Sequence, residues 1–454
     1  MSAEALDGFR DTPVPEAVGR PRPMTGTPRT SAHSLHQTET GSPSLVIWVL
    51  VVSVAVVAIG MVYSLWWAPV VRHQEYWITP GDIWYSVRTA HWIGWGSLSF
   101  VYSNAQSELI TLPGFEVLLT PFVVLSSALG LSENAPGLLP NLHPQAWLLI
   151  GPVSMASGGL ALWAFDSMAR HMRVPTTRRK ILLVLEAGAI FPAVALWGHP
   201  EDVLATGFFV LALRKLLEGR EAAAGWLLGA AIAFQLFAVF AVPVLLAVVG
   251  LRKGATLLAR AAMLPGFLFV AVAIPDFHDS VRTLLQQPTP PAVNHATPWV
   301  GLSPKLSHGN VAGGPTRTIG LLVAVGAGVW ARARRQDPAR LLWLLAVALA
   351  ARCVFDPVMT PYYVMPCVAL ALVAGSGNRP VRFILGAMAG TGLTVMAFSH
   401  HGDWAYWLMM TGIIAALLGT VWPTKRPRPQ EEQPDVAPVA GLTVPEPVTA
   451  GVGT

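Results

Sequence analysis

"LVIWVLVVSVAVVAIGMVYSLWW", Leu45 to Trp67, runs for 23 residues without a charged side chain. At ~1.5 Å of rise per residue, a helix of that length covers the ~30 Å hydrocarbon layer of a bilayer. A helix that is apolar on every face suits lipid or a large buried core, not the surface of a small soluble domain. The stretch therefore reads as a first membrane span, an uncleaved signal anchor. Before it, residues 1–44 are polar and rich in Pro, Ser and Thr, a composition that buries too little apolar surface to fold. They are also too long and too mixed to be the n-region of a signal peptide. Residues 423–454 are Pro-rich and read as a second disordered tail. What lies between, 45–422, reads as one transmembrane domain.

Composition extends the reading to the whole chain. Of 454 residues, 53% are hydrophobic and 12% charged, about half the ~25% charge of an ordinary soluble domain. Further apolar segments fall near 112–130, 146–167, 181–198, 203–217, 222–250, 257–275, 316–331, 340–356, 360–375, 381–399 and 404–422. The expected fold is an all-α polytopic membrane protein with about 10–12 spans. Basic residues cluster at Arg170 to Lys180, Arg214 to Arg220, Arg252 to Arg260, Arg332 to Arg340, Arg379 to Arg382 and Lys425 to Arg428. The positive-inside rule puts these linkers and both termini in the cytoplasm. "GHPED" (Gly198 to Asp202), the stretch 276–315, "FDPVMTP" (Phe355 to Pro361) and "SHHGD" (Ser399 to Asp403) then lie outside. Two segments resist simple counting. Segment 112–130 is either re-entrant, or one of the basic clusters does not mark the inside. Segment 222–250 has basic residues at both ends yet is short for two crossings, so a pair of short helices meeting near Gln235 is expected. Broken helices of that kind are tolerated where they line a cavity.

The net charge of +5 is modest and is carried by linkers, so orientation explains it and nucleic acid does not. Cys353 and Cys367 both fall in expected spans, too few for a disulfide framework, and read as small packing residues.

The unusual chemistry gathers on the outer side. "YWITPGDIWYSVRTAHWIGWGSLSFVYS", Tyr76 to Ser103, places one acid, Asp82, among seven Trp and Tyr residues. Helical periodicity from Ile83 onward suggests an interfacial helix lying on the bilayer. Asp82 at its start suits a general base acting on an amphiphilic substrate. It also suits an N-cap, and the two roles are compatible. Arg352 sits inside the apolar run "LLWLLAVALAARCVFDP", where an unpaired charge is expensive. It is either a functional cation or the partner of Asp356 four residues on. "DFHD" (Asp276 to Asp279) and "SHHGD" offer His and carboxylate together, but too few ligands to predict a metal. No Gly-rich nucleotide loop is present, and no cofactor is expected.

"GDIWYSVRTAHWIGWGSLSFVY" resembles the first outer loop of the C-type, polyprenyl-phosphate-sugar-dependent integral-membrane glycosyltransferases. Within that class it is most similar to the actinobacterial α-mannosyltransferases of glycosyltransferase family 87. The matching residues are Asp82, Tyr85, Gly96 and the Val101–Tyr102 pair. "LPGFEVLLTP", "FPAVALWGHPEDVLA", "AAGWLLGAAIAFQLFAVFAVPVLL" and "FDPVMTPYYVMP" follow in the family's order, so the similarity runs thinly from about residue 76 to 375. The resemblance implies transfer of mannose or a related sugar from a polyprenyl-phosphate donor to a cell-envelope glycolipid or polysaccharide, on the extracytoplasmic face. It implies Asp82 as catalytic base. Tyr85, Arg88, His199, Glu201, Asp202, Gln235, Arg352, Asp356, Tyr362 and Tyr363 are the implied substrate-binding residues. Two positions depart from the family pattern: Gln235 stands where a Lys is usual, and Gly198–His199 replaces a Gly-Gln pair. Two other classes compete: a transporter of a lipid-linked or small polar substrate, and a non-catalytic membrane scaffold of the same fold.

Overall fold

The apolar run forms helix α1 (Pro43–Val62), which passes through a π-helical turn at Tyr63–Trp67 into α2 (Ala68–Arg72). The structure is a computed structural model and describes residues 43–72, 77–103, 109–131, 145–291, 295–332, 337–399 and 402–424. The two expected tails fall almost wholly outside the described residues. Helix α1 buries Leu45, Val49, Val52 and Val56, a stripe at helical spacing. It leaves Val46, Ile47, Leu50, Val51, Val54 and Ile59 exposed. An exposed face made of aliphatic residues suits lipid as its solvent.

Among the described residues every regular element is helical, with only isolated bridges outside the helices. Five helical stretches are long and apolar enough to cross a membrane: Leu45–Arg72, Trp147–His171, Thr176–Trp197, Arg252–Gln286 and Pro338–Phe355. The chain is thus an all-α protein with the character of a membrane protein. After α2 come α3 (Ile83–Gly94), α4 (Phe100–Ser103), α5 (Gly114–Ala128), α6 (Trp147–His171), α7 (Thr176–Phe191) and α8 (Pro200–Leu217). The chain continues through α9 (Glu221–Phe234), a 3-10 turn at Leu236–Ala241, α10 (Val242–Val248), α11 (Leu251–Ala273) and α12 (Phe277–Gln286). The final helices are α13 (Thr316–Arg332), α14 (Pro338–Phe355), α15 (Met365–Gly375), α16 (Pro380–Met396) and α17 (Asp403–Thr420). Helix α15 is buried along its whole length and α8 along nearly all of it, so these two sit innermost. Small residues let helices approach: a Cβ on Gly229 of α9 would stand 2.8 Å from the Ala261 carbonyl of α11.

Some charges read as topology markers also have structural partners. Arg179 donates two hydrogen bonds to Asp166, 2.8 and 2.7 Å, and both residues are buried where α6 turns into α7. Arg178 donates to the carbonyls of Ser376 and Asn378 beyond α15.

The two segments that resist counting in the sequence meet one another. Helix α5 has 15 residues, ~22 Å of helix against ~30 Å of hydrocarbon. Helix α9 ends at Phe234, and Gln235 is extended, with φ −154° and ψ 127°. The start of α5 docks on that break: a Cβ on Gly114 would run into the Ala233 carbonyl. Helix α3 forms where its periodicity predicts, but its apolar stripe faces protein. Ile83, Trp84, Val87 and Ala90 are buried, with Trp84 against Trp147 of α6 and the helix packed along α5. It is therefore a built-in element of the bundle and not a helix resting only on a bilayer surface.

Candidate functional site

The loop before α3 is fixed by polar contacts to its neighbours. The Ile78 amide donates to the Ser64 carbonyl at 2.9 Å, and the Ser64 hydroxyl donates back to the Ile78 carbonyl. Trp147 Nε1 donates to Ser64 Oγ at 2.8 Å, and Trp84 Nε1 to Thr79 Oγ1 at 2.7 Å. Asp82 occupies the N-cap position of α3 but makes no side-chain capping bond. Its Oδ2 instead accepts from His199 Nε2 at 2.8 Å. The capping role considered from the sequence is thus not the one its carboxylate takes. A third of the Asp82 side chain remains exposed, 36% against 15% for His199, so the free side of the carboxylate faces outward.

His199 is delivered by a second special turn. Helix α7 widens into a π-helical turn at Pro192–Trp197 that ends on Gly198, with φ +82°. A side chain there would meet the Ile83 amide nitrogen at 2.8 Å and Pro80 Cβ at 2.9 Å. Only glycine both adopts that backbone and lets the two loops touch. The imidazole then lies between two carboxylates, with Nδ1 2.6 Å from Glu201 Oε1. The Tyr362 ring stacks on its face at 3.6 Å between centroids. Burial opposes charge on His199, but Glu201 and Asp82 outweigh it and hold the imidazole pKa well above its usual value.

Helix α8 begins immediately after, which points Glu201 and Asp202 inward, 6% and 0% exposed. Asp202 Oδ1 accepts from Gln235 Nε2 at 2.7 Å, and Gln235 Oε1 accepts from Thr111 Oγ1 at 3.1 Å. The break after α9 thus presents its glutamine to the acid of the "GHPED" turn. Glu116, 2% exposed, completes the cluster from α5: it accepts from Ser86 Oγ of α3 at 3.0 Å and lies within electrostatic reach of Glu201. One oxygen each of Glu116, Glu201 and Asp202 is buried without a hydrogen-bond partner.

The cations take different partners from those expected. Asp356 does not pair with Arg352. It pairs with Arg317 of α13, Nε at 3.0 Å from Oδ2 and Nη2 at 3.3 Å from Oδ1. The reason is local: α14 ends at Phe355 and Asp356 turns into extended backbone, ψ 146°, which breaks the four-residue helical register. Arg352 packs its guanidinium over the Tyr363 ring at 3.9 Å and the Phe237 ring at 5.0 Å, a cation–π arrangement. It lies within electrostatic reach of both Asp202 and Asp356.

The structure therefore brings Asp82, His199, Glu201, Asp202, Gln235 and Tyr362 together, with Arg352 and Tyr363 behind them. Asp356 belongs to a separate latch: Thr297 Oγ1 donates to its carbonyl at 2.7 Å, and the Met359 amide donates to the His295 carbonyl at 2.8 Å. Tyr85 and Arg88 follow Asp82 on α3. The "DFHD" motif is a helix start, with Asp276 accepting from the Asp279 amide and Asp279 paired with Arg282 at 2.8 Å. His400 and His401 lie outside the described residues. Glu116 is missing from the sequence-derived site, although a lone carboxylate in the apolar run "GFEVLL" is itself a signal. Compared with known protein families, curated proteins and solved structures, the chain gives no match.

Proposed function

We propose that the protein is an integral-membrane glycosyltransferase of the polyprenyl-phosphate-sugar-dependent, C-type class. It carries mannose or a related sugar from the lipid donor to a cell-envelope glycolipid or polysaccharide. One observation carries the reading: a partly exposed carboxylate, Asp82, held by His199 at 2.8 Å inside an apolar helical frame. A fixed acid with one open side suits removal of a proton from an acceptor hydroxyl. That oxygen attacks the anomeric carbon of the donor, the bond to the polyprenyl phosphate oxygen breaks, and the Asp82 proton leaves later to solvent. The departing phosphate needs positive charge beside it. Arg352 is the cation behind the acidic cluster, and Tyr362, stacked on His199, and Tyr363, under Arg352, hold those two groups in place. In this proposal the bundle has 10–12 spans, both termini are cytoplasmic and the Asp82 side is extracytoplasmic.

Purified protein with polyprenyl-phosphate-mannose and a cell-envelope acceptor tests the reading, parent against Asp82→Asn. Loss of transfer by ~10²–10⁴-fold in a protein that still folds supports Asp82 as base. Undiminished transfer by the variant removes it from the mechanism. The break at Gln235, next to a buried acid, also favours a transporter, since broken helices carry substrate sites in that class. Counterflow of labelled substrate in proteoliposomes without a covalent product selects that reading.

A further inference from the structure

The acidic cluster holds more negative charge than its neighbours balance. Asp82 and Glu201 hold the His199 imidazole, Asp202 lies within electrostatic reach of it and of Arg352, and Glu116 lies within reach of Glu201. Glu201 Oε1 is taken by His199 and Asp202 Oδ1 by Gln235. Glu201 Oε2 and Asp202 Oδ2 are buried with no partner, a state that carboxylates resolve by binding a proton or a cation. His199, Glu201 and Asp202 each offer a donor atom, and these atoms all lie within 4.8 Å of one another. Small side-chain shifts bring donors that close onto one ion at ~2.0–2.2 Å from each.

We propose that His199, Glu201 and Asp202 form a binding site for one divalent transition-metal ion. One imidazole nitrogen with two carboxylates is the donor set of manganese or zinc, harder than a thiolate site and softer than an all-oxygen calcium or magnesium cage. The ligands come from one turn, Gly198 to Asp202, whose shape is fixed by the left-handed glycine and the helix start that follows. Gln235 orients the Asp202 carboxylate from the far side, as an outer hydrogen-bond partner of a metal ligand does. Three protein ligands leave coordination positions open, and Asp82, on the Nε2 edge of His199, orients the imidazole whose Nδ1 faces Glu201. An ion there adds the positive charge the cluster lacks and presents a Lewis acid to an anionic substrate group. The site does not depend on the sugar-transfer reading, because it rests on donor geometry alone.

Tag-free, detergent-purified full chain is stripped with EDTA, then dialysed separately against Mn²⁺ and Zn²⁺. Bound metal is counted by inductively coupled plasma mass spectrometry, and thermal unfolding is followed with and without the ion. The parent is expected to retain about one ion per chain and to melt higher with it. Glu201→Gln and Asp202→Asn should lose the ion and the thermal shift, and Asp279→Asn, in the other His–acid cluster, should keep both. Because Glu201→Gln also removes the carboxylate paired with His199, each variant's melt with the ion is compared with its own melt in EDTA. Loss of the free Mn²⁺ electron paramagnetic resonance signal on adding parent protein reads binding without any variant. A parent that holds less than about one-tenth of an ion per chain and leaves that signal unchanged overturns the site. So do variants that keep the parent's ion.

Discussion

Gly198→Ala is the sharpest test of how the two loops meet. The added methyl group has two separable costs. The backbone sits at φ +82°, where an L-residue is disfavoured by ~1–2 kcal/mol. The Cβ also meets the Ile83 amide nitrogen at 2.8 Å and Pro80 Cβ at 2.9 Å. These belong to backbone and a rigid ring, so they cannot swing aside, and overpacking of that kind costs ~1–3 kcal/mol. The sum is ~2–5 kcal/mol, or roughly 4–10 °C of melting temperature at ~2 °C per kcal/mol for a large domain. Gly219 supplies the control. It has φ +74° at the end of α8, and nothing lies within 4 Å of its Cβ position, so Gly219→Ala meets only the backbone term. Thermal unfolding of both variants in one detergent should place Gly198→Ala clearly below Gly219→Ala. Two variants that melt within about 1 °C of each other refute the close approach of the "TPGD" and "GHPED" loops on which the site depends.

Removing one side of the buried Asp166–Arg179 pair should destabilise strongly. Arg179→Met leaves a buried carboxylate and should cost ~3–5 kcal/mol in unfolding, most of it recovered in the double variant with Asp166→Leu. The partner exchange at Asp356 gives an asymmetric pair of variants. Arg317→Met should unfold more readily than the parent by a similar ~3–5 kcal/mol, while Arg352→Met, which leaves Asp356 paired, should lose less than half of that in the same melt. Orientation is read by cysteine labelling in intact cells, with low background because Cys353 and Cys367 are buried. A membrane-impermeant maleimide should reach a cysteine replacing the exposed His308 and not one replacing the exposed Arg173; labelling in the reverse pattern inverts the topology. Conservative Arg317→Lys should recover only part of the Arg317→Met loss, since an ammonium cannot reproduce the two-pronged contact with Asp356 and the third bond to Gln287.

Much of the local structure is written in short-range patterns. An uncharged run such as Leu45–Trp67 has one stable form in lipid, because only a helix satisfies its own backbone there. The helix from Ile83, the break near Gln235 and the concentration of acids at "GHPED" follow from spacing and from residue types that resist burial. Asp82 is visible as a lone acid among aromatic residues. Pairing is not visible in the same way. The helical register suggests Arg352 with Asp356, yet the helix stops one residue too soon and Arg317, 39 positions away, takes the acid. Glu116 joins the cluster only because α5 packs on α3, and Ser86 reaches it across that contact.

The sequence alone determined which segments are helical and apolar and where polar chemistry interrupts them, since helix formation and lipid compatibility depend on residues within a few turns. The tertiary structure alone decided which acids share a site: Asp82 and His199 are 117 positions apart and meet because Gly198 has no side chain to hold the two loops apart. Contacts at that separation are set by the packing of whole helices, which no local pattern encodes.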